Sequence, residues 1–143
     1  MKNVTIVLFA IIFSLQAFAQ KSNDTIISNN NQNLKVKVLY FHITNRCHTC
    51  FSIEAAVNKT INENFKTELE KGFIALYIVN CDLPENKELS VKYDAYGSTL
   101  AVTKILGDTE KTEDLTSFAF SKIYNESIFI SELKLKIQEL IKE

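Results

Sequence analysis

The chain has 143 residues, and 16 Lys and Arg residues against 17 Asp and Glu residues give it a formal net charge of −1. That length fits one domain, and the contents of 46% hydrophobic and 23% charged residues are typical of a globular chain with a real core. The near balance of charge argues against nucleic-acid and membrane-surface binding, because no excess of cations exists to neutralise phosphates. Three cysteines are too few for a disulfide-stapled scaffold, and the odd number leaves at least one thiol unpaired.

Residues 1–19 have the anatomy of a secretory signal peptide. Residues 4–13 form an apolar run, and a small-residue cleavage site ends at Ala19. The run is about half the length that a membrane-spanning helix needs, which favours a cleaved leader over an anchor. We therefore expect an exported protein, periplasmic or secreted, in an environment where disulfides form and persist. Residues 20–33 are polar and rich in Asn, which predicts a flexible N-terminal segment before a domain over residues 34–143.

The first half of this domain has the pattern of a strand, a helix and a second strand. Residues 34–43 alternate between apolar and polar and then become apolar, which predicts a strand that is increasingly buried. From Cys47, apolar residues recur at steps of three and four up to a stop at Gly72, which predicts a long helix with a break near residues 58–64. Residues 73–80 are an almost unbroken apolar run, the mark of a central strand covered on both faces.

The second half of the domain predicts four further elements. Residues 85–93 favour a helix and residues 99–106 a strand. Residues 107–111 have hairpin chemistry, and residues 115–120 read as a weaker strand. Residues 128–141 have one apolar face and predict a terminal helix. The order β-α-β-α-β-β-α indicates an α/β fold in which a central four-stranded mixed sheet, with a parallel first pair, has helices on both faces.

A Cys-x-x-Cys motif, Cys47 to Cys50, carries the candidate chemistry. It stands where the first predicted strand and its loop lead into a helix, and residues three apart on a helix share a face at about 5–6 Å, within disulfide reach. The helix N-terminus, the permanent cation of Arg46 and a protonated His48 all favour a thiolate at Cys47. We expect Cys47 to be the attacking nucleophile and Cys50, further inside the helix, to be the shielded resolving thiol.

Other interpretations of these cysteines stay open. A single Cys-x-x-Cys is also half of a zinc site, and His42 and His48 would complete a two-Cys, two-His ligand set with Cys47 and Cys50. The pair is alternatively a plain structural disulfide. For His42, a packed and hydrogen-bonded core histidine is the commoner role in an apolar strand. Cys81, after the second strand, is either a buried inert thiol, as is commoner for a free cysteine, or a further redox thiol or an intermolecular bridge.

The arrangement resembles the thioredoxin-like superfamily over nearly the whole of the predicted domain. The chain is also similar to a narrower group, the small bacterial proteins of the ArsF type that are labelled as a nitrophenyl-compound nitroreductase subunit. This similarity is carried by residues 40–42, by the motif with Arg46 before it, and by Glu54 after it. That label is a family name, and no residue of this chain recognises a nitroaromatic ring. The resemblance implies a thioredoxin-like fold with Cys47 as the exposed nucleophile and Cys50 as its resolving partner.

Two further residues, Ser98 and Glu54, are candidate site residues because of their expected positions near the motif. Thioredoxins carry a cis-proline before the third central strand, and Ser98 stands at the matching position of this chain. We expect a trans peptide bond there, because a non-proline cis bond costs about 3 kcal/mol. Glu54 shares a helix face with both cysteines, so it is either a proton relay for Cys50 or a solvated carboxylate.

Together these features predict an exported thiol–disulfide oxidoreductase. It needs no cofactor beyond its redox-active disulfide, has no membrane segment beyond the leader, and acts as a monomer on protein thiols or disulfides, or on a partner reductase. A first alternative is an accessory or electron-transfer subunit of a partner reductase, without independent catalysis. A second alternative is a metal-binding module with zinc on Cys47, Cys50, His42 and His48.

Overall fold

Residues 33–142 are described by the computed structural model of this chain. The predicted leader over residues 1–19, and all but the last residue of the segment predicted over 20–33, lie outside this range. The elements within it are β1 (Val36–His42), α1 (His48–Asn64), α2 (Lys66–Glu70), β2 (Ile74–Asn80), a 3-10 helix (Pro84–Asn86), α3 (Lys87–Lys92), β3 (Thr99–Leu106), β4 (Thr109–Asp114), α4 (Thr116–Lys122) and α5 (Glu126–Lys142).

The four strands form one mixed sheet in the order β2-β1-β3-β4. β1 and β2 are parallel, with Val36 opposite Ile74 and His42 opposite Asn80. β3 runs antiparallel to both β1 and β4. A parallel pair needs a crossover connection, and α1 and α2 provide it between β1 and β2. The predicted α/β class, the four-stranded mixed sheet and its parallel first pair are therefore confirmed. The central position predicted for residues 73–80 is wrong, because β2 lies at an edge of the sheet and four of its seven residues are only half-buried.

Helices cover both faces of the sheet because β1, in its interior, is apolar on both sides. Val36, Val38 and Tyr40 point to one face and join the larger core, to which α1, α4 and α5 contribute. Leu39 and Phe41 point to the opposite face and join a smaller core with residues of β2 and α3. Strand side chains alternate between faces, so the apolar run toward the end of β1 places this strand in the middle of the molecule.

The strand predicted over residues 115–120 is wrong. β4 is Thr109–Asp114, and a two-residue turn that begins at Gly107, with φ at 63°, joins it to β3. Every residue of this edge strand is exposed, so it carries no apolar alternation to predict it from. Leu115 and Ala119 are buried, and their spacing of four residues places both on the core-facing side at the start of helix α4.

The long helix predicted after Cys47 is divided in two. α1 ends at Asn64, and Phe65, which is 2% exposed, separates it from α2. The break therefore falls one residue beyond the predicted interval. Gly72, with φ at 71°, follows α2 and takes the left-handed conformation that favours glycine. None of the helices within residues 33–142 combines the length and the apolar character needed to cross a bilayer.

Candidate functional site: a dithiol at the start of α1

The two motif cysteines lie at the N-terminus of α1. Cys47 is the N-cap residue with extended backbone, and its carbonyl oxygen accepts hydrogen bonds from the amides of Cys50 and Phe51 at 3.1 and 3.3 Å. The Cys47 side chain is exposed, whereas Cys50 is 8% exposed. Their sulfur atoms are 2.8 Å apart, compared with about 2.05 Å in a disulfide. The structure thus brings one accessible and one shielded thiol into direct contact, as their spacing predicts.

The pKa of the Cys47 thiol lies below its ordinary value. The largest cause is the hydrogen bond with the Cys50 thiol, and the backbone amides of Cys50 and Thr49 add to it. These amides belong to the first turn of α1, where the N–H groups point toward the helix N-terminus at which Cys47 lies. Because the thiolate is the nucleophilic form of cysteine, this environment favours Cys47 as the attacking residue.

Arg46 and Glu54 form an ion pair beside the dithiol. The Nη1 atom of Arg46 donates to Oε2 of Glu54, and the guanidinium lies 4.3 Å from the centre of the Phe51 ring. The Arg46 cation, which was expected to stabilise the thiolate of Cys47, is therefore paired with the Glu54 carboxylate. Glu54 is thus bound to Arg46, and a function as a proton relay for Cys50 stays a prediction.

Tyr40 is a residue of this site that the sequence analysis did not single out. It is 1% exposed, and its hydroxyl donates a hydrogen bond of 2.7 Å to the carbonyl oxygen of Cys50. Burial raises the pKa of Tyr40 to about 12, although a hydrogen bond from the Ser98 side chain acts in the opposite direction. Its alternation with Val36 and Val38 was an available signal, because a tyrosine facing the core needs a partner for its hydroxyl.

Ser98 is half-buried in the loop before β3. Its side chain lowers the pKa of Tyr40 against the larger effect of burial. No cis peptide bond occurs within residues 33–142, so the trans peptide expected at Ser98 is confirmed.

The two histidines occupy different environments. His48 is exposed at the first residue of α1, whereas His42 is 6% exposed at the end of β1. The Nδ1 atom of His42 lies 3.0 Å from the carbonyl oxygen of Ile43, as expected for a packed histidine with a hydrogen-bond partner. Within residues 33–142, no three His, Cys, Asp or Glu side chains come together in a group that could hold a metal ion.

Cys81 is half-buried and is not part of the dithiol. Its backbone amide donates to the carbonyl oxygen of His42 at 2.7 Å, and its side chain lines a surface cavity of about 340 Å³ with Ser90 and Tyr96 among others. The half-buried position does not fit the buried inert thiol that was one interpretation of Cys81, and its function as a redox or bridging thiol stays a prediction. The reason for its partial exposure lies in its position just after the end of β2, where the covering of the smaller core ends.

No protein-family model matches this chain, and no curated protein matches it either. Among solved structures, one described as the structure of a malarial protein is similar to it, with 22% sequence identity and a TM-score of 0.39. That match covers 62% of this chain and 94% of the other. A likeness at this TM-score carries no argument about the fold or the activity of this chain.

Proposed function

We propose that this protein is a thiol–disulfide oxidoreductase of thioredoxin-like fold that uses the Cys47–Cys50 dithiol. The observation that carries the proposal is the pairing of an exposed and a shielded sulfur 2.8 Å apart at a helix N-terminus. A purely structural disulfide has no need of an accessible sulfur or of a lowered thiol pKa. A dithiol that exchanges with other proteins needs both.

The architecture supports the thioredoxin-like part of the proposal. Two features are the ones expected of that fold. The sheet order is β2-β1-β3-β4, and the main elements follow along the chain as β1, α1, β2, α3, β3, β4 and α5. The motif follows the carboxyl end of β1, which lies in the interior of the sheet. Fold alone does not fix the activity, so the functional part rests on the dithiol.

The reaction is an exchange in two balanced steps. The thiolate of Cys47 attacks one sulfur of a substrate disulfide, forms a mixed disulfide and releases the other substrate sulfur as a thiolate. Cys50 then loses its proton and attacks the Cys47 sulfur. The intramolecular disulfide forms, and the second substrate thiol leaves. Two electrons pass from the dithiol to the substrate, and the reverse sequence oxidises a substrate dithiol.

Partners and location belong to the same proposal. An accessible Cys47 with the exposed ring of Phe51 close by in the sequence suits a protein thiol or disulfide as the substrate. Export to the periplasm or the extracellular space rests on the leader pattern of residues 1–19, and it would place the dithiol among proteins that carry disulfides.

Three serine variants of the mature chain test the proposal. Cys47→Ser is expected to abolish insulin reduction by the protein in the presence of dithiothreitol, because it removes the nucleophile. Cys50→Ser is expected to accumulate mixed disulfides, because the resolving thiol is gone. Cys81→Ser is the matched control, since it removes a thiol outside the dithiol, and it should keep the parent's rate.

Two results would contradict the proposal. One is a Cys47→Ser variant that reduces insulin as fast as the parent. The other is a stoichiometric metal ion that the anaerobically purified parent holds and the Cys47→Ser variant loses, which would instead favour a metal-binding module. If the parent is active, trapping partners in the native cell with Cys50→Ser then identifies the substrate as a captured mixed disulfide.

A further inference from the structure

We propose that Tyr40 is a positioning residue for the dithiol: its hydroxyl donates a hydrogen bond to the carbonyl oxygen of Cys50 and fixes the resolving cysteine against Cys47. This inference rests on the proposed exchange function, since it concerns the second step of that reaction. It goes further in assigning a function to a strand residue outside the motif.

The contact with Cys50 is short and buried. The Tyr40 hydroxyl lies 2.7 Å from the carbonyl oxygen of Cys50, and the tyrosine as a whole is 1% exposed. Its ring belongs to the larger core, so the hydroxyl cannot turn to water without unpacking the ring. A phenol has one proton to donate. That proton is committed to the residue that carries the resolving sulfur.

The Tyr40 phenol keeps its proton while the cysteines exchange. Burial raises the pKa of Tyr40 to about 12, so the phenol is protonated throughout the pH range in which thiols exchange. Its hydrogen bond to the carbonyl oxygen of Cys50 therefore stays intact when the cysteines titrate.

The consequence concerns the geometry of the second step. Cys50 lies in the first turn of α1, where the backbone hydrogen bonds of the helix begin. A hydrogen bond from β1 to its carbonyl ties this turn to the centre of the sheet. The Cys50 sulfur is thereby held near the sulfur that it must attack, which raises its effective concentration for closure of the disulfide.

Replacing Tyr40 by Phe removes the hydroxyl and keeps the ring in the core. The assay starts from the parent or variant with Cys47 in a mixed disulfide with glutathione and measures glutathione release in a single turnover. Loss of one neutral hydrogen bond predicts a slower release by about 2- to 10-fold. The equilibrium constant for dithiol oxidation by glutathione disulfide is expected to fall by a similar factor.

Tyr93→Phe is the matched control. Its hydroxyl hydrogen-bonds the Thr103 hydroxyl at 3.1 Å, away from the dithiol, so it loses a contact of the same kind. We expect it to release glutathione at the parent's rate. Urea unfolding of all variants in the reduced form separates loss of stability from loss of positioning.

The outcomes separate this inference from the proposed function. If the parent forms and resolves the mixed disulfide and Tyr40→Phe does so at the same rate, the positioning function is overturned and the dithiol stands. An equal slowing by Tyr93→Phe also overturns it, because the effect would then be general. If the parent itself neither forms the mixed disulfide nor closes the Cys47–Cys50 disulfide, the proposed function fails first.

Discussion

Replacing Glu54 by Gln removes the carboxylate that Arg46 contacts and keeps the size of the side chain. The ion pair is partly buried, with 13% of the Arg46 side chain and 24% of the Glu54 side chain exposed. Exposed ion pairs contribute about 0–1 kcal/mol, and hydrogen bonds to charged groups about 1.5–3 kcal/mol. Because solvent screens part of this pair, we expect a coupling energy of about 1–2 kcal/mol in the free energy of unfolding.

A double-mutant cycle measures this coupling. Urea unfolding of the reduced parent, Glu54→Gln, Arg46→Gln and the double variant gives four free energies of unfolding, and their combination isolates the interaction between the two side chains. The double variant should lose less stability than the sum of the two single losses. If the losses add to within about 0.3–0.5 kcal/mol, the contact does not stabilise the protein and the reasoning is refuted.

The same four proteins test how Arg46 acts on Cys47. The positive charge of Arg46 is balanced by the negative charge of Glu54. Because the double variant removes both charges, it should keep the parent's pH midpoint for alkylation of Cys47 by iodoacetamide. Glu54→Gln alone leaves an uncompensated cation next to Cys47 and should lower this midpoint, and Arg46→Gln alone should raise it. A rise of equal size in Arg46→Gln and in the double variant would mean that Arg46 stabilises the thiolate directly, whatever its partner.

Three further predictions concern the thiol, the core and an ion pair. Cys50→Ala should raise the pH midpoint for alkylation of Cys47, because it removes the hydrogen bond that contributes most to the lowered pKa; an unchanged midpoint would contradict this cause. Phe129→Ala, at a position that is 0% exposed, should lower the free energy of unfolding by about 3–5 kcal/mol in urea, and a loss below 1 kcal/mol would mean that the site collapses around the cavity. The pKa of Glu110 lies below its ordinary value, first through the hydrogen bond from Lys37, so its contribution to stability is present above the ordinary carboxyl pKa and is lost as the pH falls through the lowered value. Glu110→Gln should therefore be less stable than the parent near neutral pH and equal to it in strong acid, and a difference that persists in acid would indicate another cause.

The sequence was sufficient to predict the sheet and the dithiol because both depend on local patterns. The apolar run of β1 reflects a strand covered on both faces, and the spacing of Cys47 and Cys50 fixes their common side on α1. The apolar run of β2 predicted a strand correctly but not its place at the edge of the sheet, because neighbours along the sheet leave no mark on the local pattern. β4 and α4 could not be predicted in the same way. An edge strand exposed along its whole length has no apolar period, and the buried residues Leu115 and Ala119 fit a strand or a helix over so short a stretch.

The environment of the dithiol was less predictable because it depends on contacts between distant elements. Arg46 and Glu54 are eight residues apart, and the local sequence pattern does not indicate that they form an ion pair with each other instead of acting on Cys47 or Cys50. Tyr40 reaches the dithiol from β1, and only the packing of β1 against the start of α1 brings its hydroxyl to the carbonyl oxygen of Cys50. Residue types near a motif therefore predict its chemistry better than they predict its hydrogen-bond partners.

The exposed outer strand β4 has a consequence for the behaviour of the protein at high concentration. Its sequence from Thr109 to Asp114 places four charged residues, one lysine and three acids, along one edge of the sheet, and all six residues of the strand are exposed. A strand in that position offers backbone amides to any extended chain that approaches. The dense charge makes such an approach costly, so this edge of the sheet resists growth into fibrils and edge-to-edge stacking between neighbouring copies.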